Sequence, residues 1–150
     1  MGPKIGRLPL GLVVLIGALG TMAAIWAAQG HAGSTRQVRV PDSDRFTPFA
    51  LTIKAGDEVR WTNTDEDDHT VVSDDALNTA GHNGTNTLLK ANGGHVSLHF
   101  DHPGTFVYYC RFHAKLDGFK QPIAPGPDGG IQDASGNFGT PMSGVITVLP

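Results

Sequence analysis

Thr105-Phe106-Val107-Tyr108-Tyr109-Cys110-Arg111-Phe112-His113 is an apolar, aromatic run that ends in a cysteine, with a histidine three residues further on. Strand alternation puts Tyr108 and Cys110 on one face and Tyr109 on the other, so the sulfur stands at the end of a core-facing row. Cys110 is the single cysteine of the chain, which excludes an internal disulfide and leaves a buried small hydrophobe or a functional thiol. His69 lies upstream in Asp67-Asp68-His69-Thr70-Val71-Val72, and Met142 downstream in Thr140-Pro141-Met142-Ser143-Gly144-Val145. Two imidazoles, one thiolate and one thioether are the donor set that suits copper, because sulfur satisfies Cu(I) and imidazole satisfies Cu(II).

Short alternating stretches and turns continue in both directions. Asp101-His102-Pro103-Gly104 turns the chain out of residues 95–100, where Val96, Leu98 and Phe100 point inward and His95, Ser97 and His99 outward. Upstream, residues 38–40 start a first strand, and Phe49, Leu51 and Ile53 alternate up to a turn at Ala55-Gly56-Asp57. In Glu58-Val59-Arg60-Trp61-Thr62, Val59 and Trp61 share the buried face. Val71 and Val72 mark another short strand. Residues 74–94 read as a polar surface excursion with at most a short helix or strand around Leu88, and residues 145–149 close the sheet. About seven strands at this spacing predict an all-β Greek-key β-sandwich. Abundant glycine (20) and proline (10) agree, and 150 residues leave room for one domain with a substantial core.

The amino terminus is of another kind. Lys4 and Arg7 precede a charge-free stretch over residues 8–28, followed by Gln29, Gly30, His31, Ala32, Gly33 and Ser34. Residues 1–33 read as a targeting segment and residues 34–150 as the folded domain. The stretch matches the roughly 20 residues needed to cross a bilayer, while Gly30-His31-Ala32 offers a small-residue cleavage site. A cleaved signal and a retained membrane tether both stay open. Either way the domain faces outward, in the periplasm or another extracytoplasmic space. Losing Lys4 and Arg7 makes the formal charge of −3 more negative by two, which argues against nucleic acid as a partner.

Taken in order, Val59-Arg60-Trp61-Thr62-Asn63, Asp68-His69-Thr70-Val71, the run from Phe100 through Cys110 to His113, and Met142-Ser143-Gly144-Val145-Ile146-Thr147-Val148 resemble the cupredoxins. The likeness is greatest to the plastocyanin-like small blue copper proteins and covers residues 38–149. It implies a type 1 copper centre in a β-sandwich that relays single electrons between redox protein partners, without bond chemistry on a substrate. By position it implies His69, Cys110 and His113 as ligands, Met142 as the weak axial thioether, and His113 as an electron portal within an apolar patch. Thr70 is the residue expected to tie the two ligand loops together. Tyr109, facing outward, would offer a second electron route or a docking contact.

One departure from the family pattern is large. The resemblance puts the axial methionine only a few residues beyond the second histidine, whereas here 28 residues, 114–141, intervene. Their proline and glycine content reads as an extended, turn-rich loop. Because Pro141-Met142-Ser143-Gly144 runs straight into the closing strand, Met142 stays the axial candidate. A three-coordinate site, or one completed by a backbone oxygen or water, is the alternative.

Plainer readings stand beside these. His31, His82, His95, His99 and His102 receive no role, although His95, His99 and His102 could form an adventitious surface metal site. The acidic run Asp65-Glu66-Asp67-Asp68, with Asp74 and Asp75 beyond, is a solvated loop or a field that steers a basic redox partner. Two histidines and a cysteine could also hold catalytic zinc, or Cys110 and His113 could pair as nucleophile and base, but no acid or nucleophile elbow accompanies them. A copper module for storage, delivery or small-ligand binding is the nearer rival. The chain is expected to act as a monomer.

Overall fold

β-branched and aromatic residues that alternate with polar ones suit a pleated, half-buried surface, and the burial of each strand follows that alternation. In the computed structural model, which describes residues 1–2 and 32–150, the stretch Asp57–Asn63 buries every second residue, Val59 and Trp61 included. The apolar stretch over residues 8–28, and His31, lie outside the described residues. Among the described residues there are strands and no helix.

Eight strands build two sheets: β1 (Thr35–Val40), β2 (Ala50–Lys54), β3 (Asp57–Asn63), β4 (His69–Ser73), β5 (Thr85–Leu89), β6 (His95–Phe100), β7 (Gly104–Tyr109) and, last in the chain, β12 (Ser143–Leu149). One sheet has the order β1-β3-β6 and the other β2-β12-β7-β4-β5. β1 runs parallel to β3 and β2 parallel to β12; the remaining pairs in the two sheets are antiparallel. The chain therefore changes layers between β1 and β2 and again between β2 and β3.

Between the layers, Val59, Trp61 and Phe100 of the first sheet meet Phe106, Tyr108 and Ile146 of the second, all fully buried. The rings pack edge-on: Trp61 to Tyr108 at 5.2 Å, Phe100 to Phe106 at 5.2 Å and Phe46 to Tyr108 at 4.7 Å between centroids. Each such ring removes ~150–250 Å² from water, so a handful of aromatics anchors a small sandwich. Gly144 lies flat on the Tyr108 ring, where a Cβ would stand 2.4 Å from its hydroxyl oxygen.

Two stretches differ from the reading of the sequence. Residues 74–94 carry the short strand expected around Leu88, β5 at the edge beside β4, but they are not wholly superficial: Leu89 and Ala80 are buried, and the amides of Thr79 and Ala80 both donate to the Thr105 carbonyl. Polar composition hid these contacts because they are made by backbone. Residues 114–141 also carry structure, a ribbon of β8 (Lys115–Leu116) with β9 (Pro122–Ala124) and another of β10 (Ile131–Gln132) with β11 (Phe138–Thr140).

Candidate metal centre

Register brings three distant segments, with His69, with Cys110 and His113, and with Met142, to one end of the larger sheet. β4 begins at His69 and pairs with β7 through Val72 and Tyr109, so the start of β4 lies beside the residues that follow β7. On the other side of β7, Ser143 pairs with Tyr109, which sets Met142 next to Cys110. The Cys110 amide donates to the Met142 carbonyl (3.0 Å), and the Met142 amide donates to the His113 carbonyl (2.9 Å). The 28-residue insertion thus leaves and re-enters the fold at the same spot.

The sulfur of Cys110 lies 3.8 Å from Nδ1 of His69 and 3.5 Å from Nδ1 of His113. Cys110 and His69 are fully buried and His113 is 5% exposed. For thiolate and imidazole bonds of about 2.3 and 2.0 Å to a divalent metal, an angle near 120° separates sulfur from nitrogen by about 3.7 Å. The spacing in the chain brackets that value, and the three donor atoms lie within 4.8 Å of one another, so together they can hold one ion. Met142 is fully buried in the same core cluster as Cys110.

Three of the four ligand candidates have polar partners behind them. The Thr70 amide donates to the Cys110 sulfur (3.3 Å), its hydroxyl lies 3.7 Å from the same atom, and that hydroxyl accepts from the Arg111 amide (3.0 Å). Thr70 therefore ties the two ligand loops as expected. Asp65 Oδ2 lies 3.1 Å from Nε2 of His69, and Asp44 Oδ1 lies 3.4 Å from Nε2 of His113. Both imidazoles present Nδ1 to the sulfur and Nε2 to a carboxylate. Asn63, buried at the end of β3, donates to the carbonyls of Asp67 and Leu89 and accepts from the Asp65 amide, which fixes the loop before His69.

Charge follows from this packing. Burial pushes the Cys110 thiol up, but hydrogen bonds from His113, His69, the Phe112 amide and Thr70 outweigh it and bring the thiol down to about 6. Burial pushes both imidazoles down, and the bonds to Cys110, with Asp65 for His69 and the nearby Asp44 for His113, reverse that and raise them. A low thiol is what a metal-binding cysteine needs, because the thiolate is the ligand.

Several expectations change. Tyr109 faces away from the core as alternation requires, yet it is only 6% exposed, covered with Val72 by Ala114 and Leu116 of the insertion, and its hydroxyl donates to Asp74. The acidic run is not uniformly solvated: Asp65 is buried and accepts from the Glu66 amide, and Asp68 accepts from Lys90 and the Ala91 amide. His113 opens onto a surface cleft of about 330 Å³ lined with Asp67, Asp68, Phe112 and Asp128, so acidic groups stand there beside an aromatic ring. Asp65, Asp44 and Asn63 escaped the reading of the sequence. The four-residue step from Asp65 to His69 was hidden in a charge run, and nothing local marks Asp44, which reaches His113 only through the fold.

A match to the copper-binding proteins of the plastocyanin/azurin family spans residues 37–119. The chain belongs to that family. The matched stretch contains His69, Cys110 and His113 and ends before Met142. Chloroplast plastocyanin of Tetradesmus obliquus is 38% identical over 72 residues, 45% of this chain and 50% of that protein. Plastocyanin of Scenedesmus fuscus is 36% identical over 72 residues, 45% of this chain and 74% of that protein. The chain therefore spans half the length of the first relative and about three-quarters of the second. Among solved structures, a reduced amicyanin mutant is 19% identical with a TM-score of 0.49, covering 76% of this chain and 81% of that one. Amicyanin from Paracoccus versutus is 16% identical at a TM-score of 0.47, covering 81% and 85%.

Proposed function

We propose that this chain is a type 1 copper protein that carries single electrons between redox partners outside the cytoplasm, with His69, Cys110 and His113 as ligands and Met142 as the axial thioether. One observation carries the reading: a buried sulfur with an imidazole Nδ1 at 3.5 Å and another at 3.8 Å, in a family of copper-binding proteins. Bound copper would supply a one-electron couple that mixed sulfur and nitrogen donors stabilise in both oxidation states. The residues supply rigidity. His69 opens β4, Cys110 follows β7 and Met142 precedes β12, so three of the four ligand candidates are fixed by paired strands.

His113 is the exit for the electron, because among the four only its side chain lines a surface cleft. Exposed Asp67 and Asp128 at that cleft favour a basic partner, and Phe112 offers an apolar contact beside them. Residues 8–28 would export the domain or tether it to a membrane, and the domain acts as a monomer.

Adding copper to the metal-free chain tests the reading. The expected result is one copper per chain, a strong thiolate-to-copper band toward the red end of the visible spectrum and reversible one-electron cycling. A colourless protein that prefers zinc would support a hydrolytic site instead. Met142→Leu tests the axial assignment: a shifted band and a raised potential are expected, and an unchanged spectrum and potential would remove Met142 from the coordination sphere.

A further inference from the structure

We propose that Asp44 is a positioning residue that closes the outer edge of His113, holding its ring against the metal position and biasing the site toward the oxidised ion. The inference rests on the copper reading above. Asp44 stands outside every motif of the ligand loops, in the turn between β1 and β2, yet its Oδ1 lies 3.4 Å from Nε2 of His113. It is only 9% exposed, and its carboxylate, that of Asp65 and a ring nitrogen of His69 lie within 4.8 Å of one another.

Two consequences follow from elementary chemistry. An imidazole that ligates through Nδ1 must place the Nε2 proton somewhere; Asp44 stands at ion-pair range of that nitrogen, and a carboxylate that accepts the proton when the ion binds would fix the ring and raise its basicity as a ligand. A negative charge beside the site also stabilises the more positive oxidation state, and water screens it little where both groups are largely buried. Without Asp44, His113 would turn its outer nitrogen to the acidic cleft.

The backbone at this position makes a clean experiment available. Asp44 has φ of +50°, a left-handed conformation that asparagine tolerates well and glycine adopts without cost. Asp44→Asn keeps the acceptor oxygen and removes the charge, whereas Asp44→Gly removes both without backbone strain. In the copper-loaded chain poised at a fixed ambient potential, Asp44→Asn is expected to raise the ratio of Cu(I) to Cu(II) about tenfold, equivalent to 59 mV for one electron. Asp44→Gly is expected to show that rise, a shifted thiolate band and copper affinity about 10–100-fold weaker. Asp101→Asn removes an equal charge from the turn before β7, at the far end of that strand, and should move the ratio less than about twofold because salt screens exposed charges.

An intact thiolate band with an unmoved ratio in both Asp44 variants overturns the inference and leaves the copper reading standing. So does a second tightly bound ion per chain that Asp44→Asn removes, since the carboxylates would then be ligands themselves. Absence of the band from the parent chain is instead the failure of the copper reading, and this inference falls with it.

Discussion

Thr70 joins the loop of His69 to the loop of Cys110. Thr70→Val keeps the amide bond to sulfur and the shape of the side chain, but it withdraws the hydroxyl from the sulfur and from the Arg111 amide. Leaving that amide without its acceptor is expected to cost roughly 1–3 kcal/mol in denaturant unfolding. One hydrogen bond fewer to the thiolate is expected to lower the reduction potential. A loss below about 0.5 kcal/mol, small for a missing hydrogen bond, would show that the hydroxyl does not join the loops. The thiol supplies a pH signature in the copper-free chain. Its ordinary value is 9.0 and its folded value about 6, so over that interval the unfolded state holds a proton that the folded state lacks. Its contribution to stability is therefore complete above pH 9 and lost as the pH falls through about 6. The raised imidazoles act in the opposite sense, contributing below their ordinary 6.5 and losing that contribution as the pH climbs through their folded values. Ultraviolet thiolate absorption of the folded, metal-free chain should appear with a midpoint near 6; a midpoint near 9 would mean that the two imidazoles do not hold the anion.

Among the elements, the insertion separates this chain from a short-loop site. Lengthening a loop from a few residues to 28 costs only ~1–2 kcal/mol of closure entropy, since each doubling adds about 0.6. The bonds from the Met142 amide to the His113 carbonyl and from the Asp128 amide to the Phe112 carbonyl offset a similar amount, at about 0.5–1.5 kcal/mol each. Gly126 makes the fold-back possible, for a Cβ there would stand 2.3 Å from the Phe112 carbonyl oxygen and 2.5 Å from the Ala114 nitrogen. Gly126→Ala is accordingly expected to destabilise the chain by about 1–3 kcal/mol, as overpacking does, and to shift the visible spectrum of the copper form. Unchanged stability and spectrum would show that the insertion does not clamp the ligand loop. Such contacts also mark where the sequence stopped being informative. The strand pattern of Val59 and Trp61, and the order of His69, Cys110, His113 and Met142, could be read because periodicity and ligand chemistry are local. The reach of Asp44 to His113 could not, because it joins segments far apart in the chain, and the cover over Tyr109 could not, because Ala114 and Leu116 stand in a turn-rich stretch that leaves no periodic trace.

At the scale of the whole molecule, acidic groups gather where His113 meets the surface. Asp68 is already engaged with Lys90 and the Ala91 amide, so the exposed charges available to a partner at the cleft are Asp67 and Asp128. Electron exchange with a small cationic reagent should slow as salt is raised, because the screening length shrinks from about 10 Å at 0.1 M to about 3 Å at 1 M. The double substitution Asp67→Asn, Asp128→Asn should remove most of that dependence; a rate indifferent to salt would mean that the cleft does not guide encounter. The sandwich and its register serve the centre at one end, where four residues from three distant segments of the chain converge without a helix among the described residues. Copper K-edge X-ray absorption on the copper-loaded chain reads that convergence directly. One short sulfur scatterer with two imidazole nitrogens is the expected shell, and a shell of nitrogen and oxygen alone, without sulfur, would contradict a centre built on Cys110.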